Sequence, residues 1–66
     1  MMTARAVLAA DLHIGDLVLP ATGDARRITL HRLQGAPPVV VLAYAGQAGQ
    51  QELPAAQEVV VLTDAH

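Results

Sequence analysis

Two runs of β-branched residues, Val39-Val40-Val41-Leu42 and Val59-Val60-Val61-Leu62, constrain this chain more than any other feature. Valine loses χ1 freedom against the preceding turn of a helix and packs well on a pleated surface, so both runs favour strands. The punctuation between runs points the same way. Pro20-Ala21-Thr22-Gly23-Asp24, Gln34-Gly35-Ala36-Pro37-Pro38 and Gly46-Gln47-Ala48-Gly49 are dense in turn formers. Between two of them, Arg26 to Leu33 alternates, with Ile28 and Leu30 on one face and Arg27, Thr29 and His31 on the other. Leu17-Val18-Leu19 and Gln50-Gln51-Glu52-Leu53 add short strands, and Pro54-Ala55-Ala56-Gln57 reads as one tight turn. Strand starts thus recur roughly every ten residues, as in a small barrel or sandwich. The expected architecture is all-β: a small five-stranded antiparallel barrel over residues 11–62, within one domain of residues 1–66. Thr3 to Ala10 holds good helix formers and is expected to be a short helical or irregular N-terminal segment. Residues 63–66 are expected to form a loose tail.

The core available to such a barrel is thin. The chain has 66 residues and is 53% hydrophobic, yet it has no Phe and no Trp, and Tyr44 is its only aromatic residue. Aromatic rings normally supply much of a small core, and a domain of this size without staples has little stability to spare. There is no cysteine, hence no disulfide and no thiolate metal site. An aliphatic core of this kind suggests oligomerisation. Net charge is −2, so no global field draws the chain to nucleic acid or anionic lipid. No apolar run approaches the roughly 20 residues that span a bilayer. The opening apolar stretch meets Asp11 after five residues, short of a secretory core; a cytoplasmic location is the expectation. Arg is the only basic residue type beside abundant Ala, Val and Leu, a composition that suits a GC-rich bacterium or its phage.

Asp11-Leu12-His13-Ile14-Gly15-Asp16-Leu17-Val18 resembles the D-L-x-x-G-D-x-V phrase that opens many SH3-like small β-barrels. An Arg-rich second strand, an apolar third, a short fourth ending Glu52-Leu53-Pro54, a tight turn and Glu58 to Leu62 continue the resemblance. It implies an SH3-like barrel and leaves function open, because that fold hosts peptide binders, nucleic-acid binders, toxins and enzyme subunits. Without an aromatic cluster the chain lacks the grip on proline-rich ligands, and without an aromatic cage the grip on methylated lysine.

Chemistry-bearing motifs are few. Leu19-Pro20-Ala21-Thr22-Gly23 matches the sortase signal in letters only, with no hydrophobic span and basic tail after it. His13, His31 and His66 lie far apart in the expected fold, whereas zinc wants at least three converging ligands; neither metal nor cofactor is expected. With no Ser, no Cys and no phosphate-cradling glycine loop, the chain is not expected to be an enzyme. Arg26, Arg27, His31 and Arg32 form the one basic cluster, with Arg27 and His31 expected on a shared strand face. Arginine suits bidentate phosphate recognition, so nucleic-acid or nucleotide binding is the alternative function. The first expectation is a non-catalytic interaction module, a homo-oligomer or a subunit of a larger complex. Its basis is apolar excess. Three strands carry Val or Leu on both faces, and an exposed apolar patch generally marks an interaction site. Leu42, Tyr44 and Leu62 are the expected outward anchors.

Overall fold

A computed structural model describes residues 2–20 and 23–64. Six strands follow one another: β1 (Met2–Leu8), β2 (Leu17–Leu19), β3 (Arg26–Gln34), β4 (Val39–Tyr44), β5 (Gln51–Pro54) and β6 (Glu58–Asp64). They form one antiparallel sheet in the order β1-β6-β2-β3-β4-β5, which does not close into a barrel. The class is therefore all-β as expected, but the sheet has six strands in place of five and stays open where a closed barrel was expected.

The sixth strand is the correction. Residues 2–8 are extended, and a 3₁₀ turn at Ala9–Asp11 is the helical content that the described N-terminal segment holds. An isolated helix of seven residues is marginal in water. As a strand, the same segment pairs with β6 along its whole length, from Met2 opposite Asp64 to Leu8 opposite Glu58. Thr3 and Thr63 face each other across that ladder, their hydroxyls 3.1 Å apart. Tertiary pairing thus overrides local propensity. The same pairing carries Thr63 and Asp64 into β6, where a loose tail was expected; Ala65 and His66 lie outside the described residues, as do Ala21 and Thr22.

Cross-strand partners share a face and neighbours along a strand alternate, so the register assigns every side chain. Val18 pairs with Val61, and Val40 and Leu42 stand on the same face of β4 as Tyr44, the partner of Ile28. This inner face supplies the core: Ala9, Leu12, Val18, Ile28, Val40, Leu42 and Val61 are all buried. The 3₁₀ turn closes over one end. Ala9 and Ala10 donate their N–H groups to the carbonyls of Gln57 (2.8 Å) and Ala55 (3.0 Å), tying the start of the chain to the β5–β6 turn. His31 on β3 completes the lid, its Nε2–H donating to the Ala9 carbonyl across 3.0 Å.

Two local devices shape the rest. Gly15 sits at φ +97, a left-handed conformation that costs glycine little, and its N–H donates to the Ile28 carbonyl (2.9 Å). That turn aims β2 between β6 and β3. A β-bulge then interrupts β3 between Ile28 and Leu30. A bulge inserts one residue, bends its strand and shifts which residues face inward beyond it.

Candidate functional site

The outer face of β1, β6 and β2 is the most distinctive surface of the molecule. The register lays out two rows across three strands: Ala4, Leu62 and Leu17 in one, Ala6, Val60 and Leu19 in the next. Leu8 and Met2 extend the β1 edge at either end, opposite Glu58 and Asp64. Six large hydrophobic residues are well exposed among the described residues, and Met2, Leu8, Leu19 and Val60 are four of them. Their exposures run from 38% at Val60 to 50% at Met2, and all four belong to this one face. Charge is confined to its margin, at Glu58, Asp64 and Arg27, the last standing beside Leu17.

Each strand reaches this composition for a local reason. The β2 and β6 runs are apolar at consecutive positions, so either choice of inward set leaves apolar side chains outward; Val18 and Val61 turn inward, and Leu17, Leu19, Val60 and Leu62 are left outward. The N-terminal segment lies beside the patch and adds Ala4, Ala6 and Leu8 to it. Pairing edge to edge satisfies backbone groups but covers no face.

The expected anchors divide. Leu62 is on this outer face and half-buried between Ala4 and Leu17. Leu42 is not an outward residue: it is 0% exposed and central to the core. Tyr44 shares the inner face with Leu42 and is half-buried, and that burial raises its hydroxyl pKa above the usual value. The face of β4 could not be assigned from a run that is apolar on both sides; the pairing of Ile28 with Tyr44 and of Leu53 with Val40 decides it.

The basic residues do not converge on one surface. The bulge at Thr29 places Arg27 on the outer face beside Leu17, while His31 turns inward opposite Leu42. The expected shared face of Arg27 and His31 is thereby corrected. Three of the four also have a local role. Arg27 Nη1 donates to the Gly15 carbonyl at 2.8 Å, Arg26 Nη1 reaches the Ala45 carbonyl at 3.4 Å, and His31 holds Ala9. Arg32 stands on the outer side of β3 like Arg27, but farther along the strand, opposite Val41.

Concave regions flank this sheet. A cleft of about 750 Å³ lies beside β1, where Arg5, Asp11, His13, Asp16 and Glu58 line it together with Val7, Leu8 and other apolar residues. The His13 backbone N–H donates to an Asp16 carboxylate oxygen at 2.8 Å, so that acid caps its own turn. Among the described residues, no group of three or more His, Cys, Asp or Glu side chains is placed to hold a metal ion. A second cleft, of about 430 Å³, follows the open seam between β2–β6 and β4–β5, where Val18, Pro20, Tyr44, Leu53 and Val59 line it. No helix among the described residues is long and apolar enough to cross a membrane. No protein-family model matches the sequence, and no curated protein or solved structure is significantly similar to it.

Proposed function

We propose that this chain is a small non-catalytic interaction module of SH3-like architecture, acting as a homo-oligomer or as a subunit of a larger complex through the outer face of β1, β6 and β2. What supports the SH3-like reading is the order β6-β2-β3-β4-β5 with a tight turn between β5 and β6, β1 being an added strand at the β6 edge. One observation carries the functional reading. Met2, Leu8, Leu19 and Val60 are all exposed on a single face whose charges lie only at its margin. Scattered surface hydrophobics need no explanation, whereas a contiguous patch rimmed by polar groups generally marks a docking surface. The inward turn of His31 and the backbone hydrogen bonds of Arg26, Arg27 and His31 weigh against the nucleic-acid alternative, because phosphate binding draws its affinity from several cations acting together.

Immobilised chain, wild-type and Leu19→Glu, tests the reading against bacterial extract and against free chain. Wild-type protein should retain a defined polypeptide, a second copy included, that the variant loses. Equal retention by both, with the variant folded by circular dichroism, would refute it.

A further inference from the structure

We propose that the open seam between β5 and β6 is a further docking site, which takes an extended, uncharged peptide segment of a partner protein as an added strand on β5. The site begins with two unpaired backbones. β5 ends the strand order, so its outer edge pairs with no other strand among the described residues. β6 pairs with β2 from Val60 to Leu62, and Pro20 follows with no N–H to extend that ladder, which leaves Glu58 and Val59 open on the β2 side. A groove of about 430 Å³ lies between the two backbones, within the range of ordinary ligand sites.

Its floor is apolar. Leu53 belongs to the inner face, as the partner of Val40, and lines the groove with Val18, Val59 and Tyr44. Tyr44 is the hub, because it also lines the smaller hollows beside Arg26 and beside Ala48 and Gly49. Its hydroxyl makes no hydrogen bond within the described chain, and neither do the side-chain amides of Gln51 and Gln57 on the rim. Among the described residues, Glu58 is the one charged side chain that lines the groove, which meets the outer face at Leu19 and Val60.

Each of these features selects for a polypeptide strand. An open strand edge offers N–H and C=O groups that another backbone matches residue by residue, and strand addition to such an edge is a recurrent mode of peptide recognition. Free amide side chains both donate and accept, so Gln51 and Gln57 suit backbone amides rather than an ion. In strand geometry alternate side chains of the occupant point down onto Val18, Tyr44 and Val59, and the others point away. β5 is four residues long, so about four residues of the occupant pair with it and two of them rest on the floor. The free edge of β1 is longer but lacks such a floor, because Arg5, Asp11, Asp16 and Glu58 bring four charges into the cleft beside it. A polyproline ligand does not fit, since it has no N–H groups for the β5 edge and finds one aromatic ring where it needs several.

A displayed library of random linear heptapeptides, panned on the whole chain, supplies the probe. Enriched sequences should alternate apolar and polar residues, without proline or net charge. A synthetic copy titrated into isotope-labelled chain should shift the backbone amides of Gln51, Glu52, Leu53, Glu58 and Val59 and the ring of Tyr44. Two further copies, N-methylated at the odd or at the even residues, separate backbone pairing from side-chain contact. One of them should bind about tenfold more weakly or worse, because its hydrogen bonds to β5 are lost. Tyr44→Phe deletes a hydroxyl that holds nothing in the free chain, so the variant should fold as wild type and bind the peptide about fivefold more weakly. No enrichment, a proline-rich consensus, or equal binding by both methylated copies overturns the proposal. So do shifts confined to the outer face of β1, and contacts between two copies of the chain at the seam in the absence of peptide. Capture through the outer face is untouched by Tyr44→Phe, so the two sites stand or fall separately.

Discussion

Replacing Leu42 separates the core from the docking face more sharply than any other single change. Leu42 is fully buried on the inner face of β4, where Val40, Ile28 and the 3₁₀ turn pack around it. Truncation to Ala removes its transfer free energy and leaves a cavity, together worth about 2–5 kcal/mol. A chain of this length has a total stability of only about 3–10 kcal/mol at the usual value per residue. Leu42→Ala therefore removes a large fraction of the whole. Leu19 is the same residue type, two-fifths exposed on the outer face, and its truncation in the monomer should cost less than about 1 kcal/mol. The assay is urea unfolding followed by far-ultraviolet circular dichroism, at a concentration low enough to keep the chain monomeric. With a slope near 1 kcal/mol per molar for so small a domain, Leu42→Ala should lower the midpoint by about 2 M or more. Leu19→Ala should move it by less than about 1 M. Equal shifts for the two variants would refute the assignment of faces on which the docking surface depends.

Three further outcomes are expected. Replacing His31 with Ala removes the donor to the Ala9 carbonyl and should cost about 1 kcal/mol, with faster amide exchange at Ala9 and Ala10; unchanged exchange there would mean that His31 does not hold the turn. Tyr44 is the only aromatic side chain, so absorbance at alkaline pH reports it alone, and desolvation should place its midpoint above that of free tyrosine. The neutral form is favoured in the fold, so this contribution to stability is present below the unfolded pKa and is lost as pH rises through the folded one; a midpoint at or below the free value would contradict the burial. Wild-type chain should show no measurable binding to DNA or RNA at physiological salt, and sub-micromolar binding whose salt slope flattens in an Arg26→Gln/Arg27→Gln/Arg32→Gln variant would instead favour the nucleic-acid reading.

Much of the sheet was legible in the sequence because turn chemistry brackets its strands. β2, β3, β4, β5 and β6 begin within a residue of where glycine, proline and β-branched runs place them. β1 was not legible, since Thr3 to Leu8 holds good helix formers and its strand state depends on β6, more than fifty residues away. The faces were harder than the strands. One inserted residue at Thr29 is silent in the pattern, yet it reverses His31 relative to Arg27. β4 illustrates the other difficulty. Val41 is buried although it faces the outer side, where Arg32 and Glu52 flank it in register. An apolar residue facing outward is thus not always a free surface; Leu42, by contrast, faces inward, and its face was illegible because the β4 run is apolar on both sides. Excess apolar residues on β2 and β6 did signal an open face: β1 offers only Ala4 and Ala6 beside them, and the Arg27 head is drawn to the Gly15 carbonyl.

Solvent paramagnetic relaxation of valine and leucine methyl groups, recorded with a soluble gadolinium chelate, tests the account most directly. Val60 and Val61 are adjacent in sequence but belong to opposite faces, with 38% and 3% of their surfaces exposed. In dilute protein the methyls of Val60 and Leu19 should relax strongly while those of Val61 and Val18 stay unaffected. Val60 and Val61 equally shielded in the dilute monomer would contradict the account, because the outer face would then be covered within one chain.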